Sequence, residues 1–185
     1  MKHIAFVHTG IFAKTTKEGQ IVYLQAKHFD ENGILKSSLY PDLRAESISE
    51  KHLLHNGDII FAAKGTKNFA ALYENKNRPA VASTSFFVIR IKKDFQDKIL
   101  PEYLTWYLNQ QSTQNYLKSK AIGSSIASIS KPVLEELEVP TLEVVNQKKL
   151  LRIAYLRNIE RKLQQQIEML REKQIQQQII NVINN

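Results

Sequence analysis

Asp58, Glu74 and Lys76 suggest the first chemistry to consider, because an Asp followed at a distance by Glu-Asn-Lys matches the loose Asp…Glu-x-Lys spacing of many metal-dependent nucleases. Two carboxylates so placed hold a magnesium ion while the lysine orients a water. Both pieces fall in polar turns, His55-Asn56-Gly57-Asp58 and Glu74 to Pro79, so nothing in the pattern holds them on adjacent strands. The histidines at 3, 8, 28, 52 and 55 lack metal-ligand spacing with acidic companions, and most of them read as free imidazoles on surface loops. There is no Gly-rich loop for S-adenosylmethionine, no Asn/Asp-Pro-Pro-aromatic run for a flipped base, no phosphate loop, no His-Glu-x-x-His and no Gly-x-Ser-x-Gly. Zero cysteines exclude disulfides, zinc ribbons and thiol nucleophiles, and point to a reducing cytoplasm.

Binding chemistry is better represented than catalysis. The formal charge is +8 over 185 residues, which favours a polyanionic partner, nucleic acid first and an anionic membrane surface second. From 62 to 93 the cations Lys64, Lys67, Lys76, Arg78, Arg90, Lys92 and Lys93 face one acid, Glu74. Interleaved amides, hydroxyls and aromatics supply base-edge and phosphate partners. The candidate DNA contacts are therefore Lys64, Lys67, Asn68, Tyr73, Asn75, Lys76, Asn77 and Arg78. Ser124 and Ser125 join them, since Gly123-Ser124-Ser125 offers hydroxyls and backbone N–H groups to a phosphate. Lys14 to Lys17, Lys27-His28 and Arg44 are lesser contributors.

The elements that must position these residues are strands and turns up to about residue 140. Ile4 to His8 and Ile21 to Gln25 read as strands, Glu31-Asn32-Gly33 as a turn, and Asn56-Gly57 as a tight turn feeding the apolar strand Ile59 to Ala63. Asn68 to Tyr73 and Ala80 to Ile91 read as a hairpin closed by Glu74 to Pro79. Pro101 opens an amphipathic helix carried through Leu104, Leu108 and Leu117, and Ser130 caps a short helix from Lys131 to Leu137.

After Pro140 there is not one Gly or Pro. From Asn146 to about Ile183, apolar residues at 153, 156, 159, 163, 167, 170, 175, 179 and 182 recur about every 3.6 residues, the spacing of one straight helix. Such a helix, roughly 57 Å long, exceeds what one domain of this size needs for its own core, so it requires a partner. A second copy is the simplest one, with Ile153, Leu156, Ile159, Leu163, Ile167, Leu170 and Ile179 at the interface. The fold class expected is α+β: a mixed domain over residues 1–143 with a twisted sheet and short helices, then a helix over 144–185 that pairs antiparallel in a coiled-coil-like dimer. No stretch is long and apolar enough to span a bilayer.

Leu54-x-x-Gly57-Asp58-Ile59-Ile60-Phe61, Lys64-Gly65, Ala80-x-Ala82-Ser83 and Phe87-Val88-Ile89-Arg90, in that order, resemble the target-recognition domain of type I restriction-modification specificity subunits. The likeness continues through Pro101-x-Tyr103-Leu104-x-Trp106-Tyr107-Leu108-Asn109, Gln114, Leu117, Gly123-Ser124, Ile129-Ser130, Leu134-x-x-Leu137-x-Val139-Pro140 and Gln147. Where the family often opens its helix on a proline-rich segment with Glu-Gln, this chain has Val144-Val145-Asn146-Gln147. The resemblance implies a DNA reader without catalysis of its own. Because such subunits usually hold two recognition domains separated by two antiparallel helices, it implies a homodimer of half-subunits reading an inverted, bipartite site on double-stranded DNA. It further implies methyltransferase partners, which bind S-adenosylmethionine and flip the base, and a restriction/translocase subunit. This chain itself would need no cofactor. Two other readings stay open: a decoy that binds methyltransferase subunits through its helix without binding DNA, and the Asp58/Glu74/Lys76 nuclease.

Overall fold

The computed structural model describes residues 1–30, 33–36, 38–65, 68–74, 79–121 and 128–184. They form a mixed α/β unit, Met1–Val144, and a second unit, Val145–Asn185. Six strands build the first: β1 (Ala5–Thr9), β2 (Val22–Leu24), β3 (Ile59–Ala62), β4 (Ala70–Leu72), β5 (Ala80–Ala82) and β6 (Phe86–Ile91). The order β1-β6-β3-β4 makes an antiparallel sheet, and β2 pairs with β5 in parallel.

The apolar runs explain this layering. Ile59–Ala62 is buried along its whole length, so β3 needs cover on both faces. On one face Ile60, Ala62, Ala71, Phe86 and Val88 meet Val22, Leu24, Ala80 and Ala82 of the small sheet in one core. Phe29, Phe69 and Phe86 close that core with ring centroids 5.6 to 6.1 Å apart. The outer side of the small sheet has its own cluster of Ile21, Tyr23, Leu43 and Val81. Asn56-Gly57 turns into β3 as expected, with Gly57 at φ +88°, where a Cβ would be strained.

The expected hairpin does not form. β4 pairs with β3, whereas β5 pairs with β2, so Glu74 to Pro79 joins two sheets rather than two partners. All three residues of Ala80–Ala82 are buried, and such a strand is stabilised by having a sheet partner and a core on either side. The expected strand Ala80 to Ile91 is also two strands. It breaks where the Ser83 N–H donates to Leu24 C=O at 2.9 Å and the Phe86 N–H to Ser83 C=O at 2.9 Å, which hands the chain from one sheet to the other.

The helix from Pro101 is likewise two, α1 (Pro101–Leu108) and α2 (Gln111–Ser119). Buried Gln114 turns back and donates from Nε2 to Leu108 C=O at 2.7 Å, satisfying a carbonyl the first helix leaves open. At the break, the Asn109 side chain accepts from the Ala70 N–H and donates to the Ala70 C=O, both at 2.8 Å. It thereby stands in for a further strand along the edge of β4. Helix α3 is Lys131–Glu136; Ser130 takes the N-cap position, but its side chain makes no capping hydrogen bond. Of the turn Glu31-Asn32-Gly33, only Gly33 lies within the described residues, at φ +76°.

Helix α4, Val144–Ile183, forms the second unit nearly alone and runs 40 residues without a break. Among the described residues no helix is long and apolar enough to cross a membrane.

Candidate nucleic-acid interface

Lys64 leaves the end of β3 exposed, in an antiparallel bridge with Ser128. The chain beneath is held on two sides: the Ala63 N–H donates to Ser85 C=O and the Ile129 N–H to Ala63 C=O, each at 3.0 Å. Ser128, distant in sequence, is thereby brought to the end of β3 beside Lys64. Asn68 is half-buried, and its Nδ2 donates to Ala62 C=O at 2.8 Å, closing the passage from β3 to β4. Tyr73 is a core residue, 9% exposed and packed in the cluster between the sheets, which removes it from the candidate contacts. Burial, with Asp58 nearby, pushes its hydroxyl pKa up. Lys67, Asn75, Lys76, Asn77, Arg78, Ser124 and Ser125 lie outside the described residues.

The basic run of 62 to 93 is not one patch. Because β6 runs antiparallel to β3 with Ile59 opposite Ile89, Arg90 sits at the start of β3 while Lys64 leaves its end. Six residues of strand, roughly 20 Å, separate them. Lys92 turns elsewhere: its Nζ lies 5.0 Å from the Phe6 ring centroid and donates to Lys2 C=O.

Arg90 also disposes of the nuclease arrangement. Its Nε and Nη2 donate to the two carboxylate oxygens of Asp58 at 2.7 and 2.6 Å, and the His55 N–H adds a third bond at 2.7 Å. Asp58 is 2% exposed, and the paired carboxylate holds the guanidinium pKa above its usual value. A carboxylate so engaged ties the turn to β6 and has little left for a metal. Glu74 is exposed, and among the described residues no group of three His, Asp or Glu side chains could hold an ion.

A cleft missed by local sequence reasoning opens where β1 ends. His8, Thr9, Gly10 and Ile11 line it together with Lys51, His52 and Leu53 and with Ala82, Val88 and Arg90. Three segments far apart in sequence thus bring His8, Lys51, His52 and Arg90 to one place, and among the described residues no acidic side chain lines it. Only the pairing of β1 with β6, which sets His8 opposite Val88, makes this legible.

On α4 the stripe residues Ile153, Leu156, Ile159, Leu163, Ile167, Leu170 and Ile179 are all between 36 and 69% exposed. That is an apolar face without cover from the helix itself.

A family model described as the type I restriction modification DNA specificity domain matches residues 6–169. No curated protein matches the chain. Among solved structures, the S subunit of the type I restriction-modification system of M. genitalium superposes with TM-score 0.57 at 17% identity, over 84% of this chain and 37% of that one. A chain from a study of complex assembly and conformational transition of the type I R-M system does so with 0.58 at 14%, over 86% and 37%. The HsdS subunit from Thermoanaerobacter tengcongensis does so with 0.53 at 18%, over 90% and 47%. The chain therefore spans less than half the length of each of these structures.

Proposed function

Because the chain belongs to the type I restriction modification DNA specificity domain family, we propose that it acts as a half-subunit, pairing with a second copy to read both halves of an inverted DNA site. Domains of this family are non-catalytic and support DNA sequence recognition. The observation that carries the finer reading is the exposed apolar stripe of α4, which follows a single mixed α/β unit. Left in water, a stripe of that length favours association, and an antiparallel copy of the same helix covers it with two-fold symmetry. Forty residues make a rod of about 60 Å, or roughly 18 base pairs of duplex, enough to hold two recognition units at separated half-sites.

Methyltransferase subunits would dock on the paired helices and bring S-adenosylmethionine and base flipping with them, and a restriction/translocase subunit would join the same assembly. Such a complex would act on DNA in the cytoplasm.

Sedimentation of the purified chain, alone and with a cognate methyltransferase subunit, tests the reading, followed by sequencing of methylated adenines. A dimer that takes up methyltransferase and directs methylation to an inverted repeat is the expected result. A monomer that binds neither would overturn it.

A further inference from the structure

Phe12 is 86% exposed, more than any other large apolar side chain among the described residues. The backbone that carries it is nevertheless fastened on every side. The Gly10 N–H donates to Phe86 C=O at 3.0 Å and the Ile11 N–H to Ala82 C=O at 2.9 Å, while Ile11 bridges Ser83. Gly10 lies so close to β5 that a Cβ there would sit 2.1 Å from the Ser83 carbonyl oxygen. On the other side of Phe12, the buried Tyr23 hydroxyl donates to Ile11 C=O at 2.9 Å and accepts the Ala13 N–H at 3.3 Å. The peptide groups flanking Phe12 are thus clamped to the core. A loose loop would fold such a ring onto its own protein; this one holds it in water, already positioned for a partner.

The surroundings identify the partner by its chemistry. From His3 to Lys17 there is no acidic residue, and Lys14 and Lys17 are exposed just beyond the ring. Gly10 and Ile11, immediately before it, form the rim of the cleft that holds Lys51, His52 and His8. One rigid aromatic flanked by cations and hydroxyls suits duplex DNA, where an apolar side chain enters a groove beside the bases and cations hold the phosphates on either side. We infer that Phe12 is a base-contacting residue of the recognition unit, and that the adjoining cleft grips the neighbouring phosphates through Lys51 and His52. This rests on the reading of the chain as a DNA reader and adds to Lys64 a contact at the same end of β6, where the Gly10 N–H meets Phe86 C=O and the Ala63 N–H meets Ser85 C=O.

The test is selection of a bound duplex from a random-sequence pool by the full-length chain, then measurement of its affinity over a range of salt. Phe12→Ala is expected to weaken binding to the selected duplex about tenfold with an unchanged salt slope, since it removes no phosphate contact. Lys51→Ala with His52→Ala is expected to weaken binding to every duplex and to lower the slope by about one to two. Circular dichroism checks that the variants fold. If the wild type binds and Phe12→Ala binds within twofold of it, this inference falls while DNA reading stands. Loss of methyltransferase capture with intact DNA affinity would make the loop a protein contact and would equally overturn it. A wild-type chain that selects and binds no duplex would remove both readings.

Discussion

Asp58 and Arg90 set the terms at the scale of single residues. The spacing of Asp58 to Glu74 and Lys76 admits a catalytic reading, yet the bidentate pair with Arg90 makes Asp58 a brace between the turn at Gly57 and the sheet. Replacing Asp58 with Ala leaves the Arg90 side chain, only 29% exposed, without its counter-ion. We expect a loss of about 3 kcal/mol in urea unfolding, near the low end for broken buried pairs because one edge of Arg90 reaches water. A change below 0.5 kcal/mol would mean the pair is not structural. His28 supplies a pH dependence. Its Nδ1 accepts the Gln25 N–H at 3.3 Å, and burial foremost, with Lys27 second, lowers its pKa from the ordinary 6.5. The unfolded chain then binds the proton more readily, so the contribution of His28 is present above pH 6.5 and is lost as pH falls through 6.5 toward the lower folded value. Unfolding midpoints measured from pH 7.5 downward should decline over that window, and His28→Gln should decline less. Equal declines would assign the effect to other groups.

The elements differ in how much of each could be read ahead. Helix α4 is legible because its signals are local: no breaker, apolar residues at a 3.6 period, and polar faces between. Its start at Val144 falls two residues before the expected Asn146, within the usual spread of helix ends. The break between α1 and α2 was not legible, since it depends on Gln114 being buried where its amide meets Leu108 C=O. The hairpin from Asn68 to Ile91 failed for the same kind of reason: adjacency in sequence favours a hairpin, but burial of β5 on both faces favours β2. At this scale the stripe of α4 carries a prediction. Leu163→Asp with Leu170→Asp places two charges in the proposed helix pair, and sedimentation should show monomers in place of the dimer proposed for the wild type. A variant that stays dimeric would move the interface off the helix.

Across the whole molecule the excess charge is uneven, with 18 cations against 15 acids before residue 146 and 8 against 3 after it. The structure distributes the cations of the first unit further: Lys64 stands beside Ser128, Arg90 is bound to Asp58, and Lys51 and His52 line the cleft with His8. Substituting Lys64, Lys67, Lys76 and Arg78 with Ala should weaken DNA binding and flatten its dependence on salt, each lost phosphate contact lowering the slope by about one. Unchanged affinity and slope would transfer the interface to the Phe12 loop and its cleft. The amino-acid sequence by itself determined what local order can carry: the specificity-domain family, the turn into β3, the long helix with its apolar stripe, and the basic balance. Tertiary structure alone decided which strands pair, which charges are already neutralised and which distant side chains share a cleft. Strand pairing joins residues far apart in sequence and follows from the cover each apolar face finds, so the position of every side chain between strands is a property of the assembled sheets rather than of any segment.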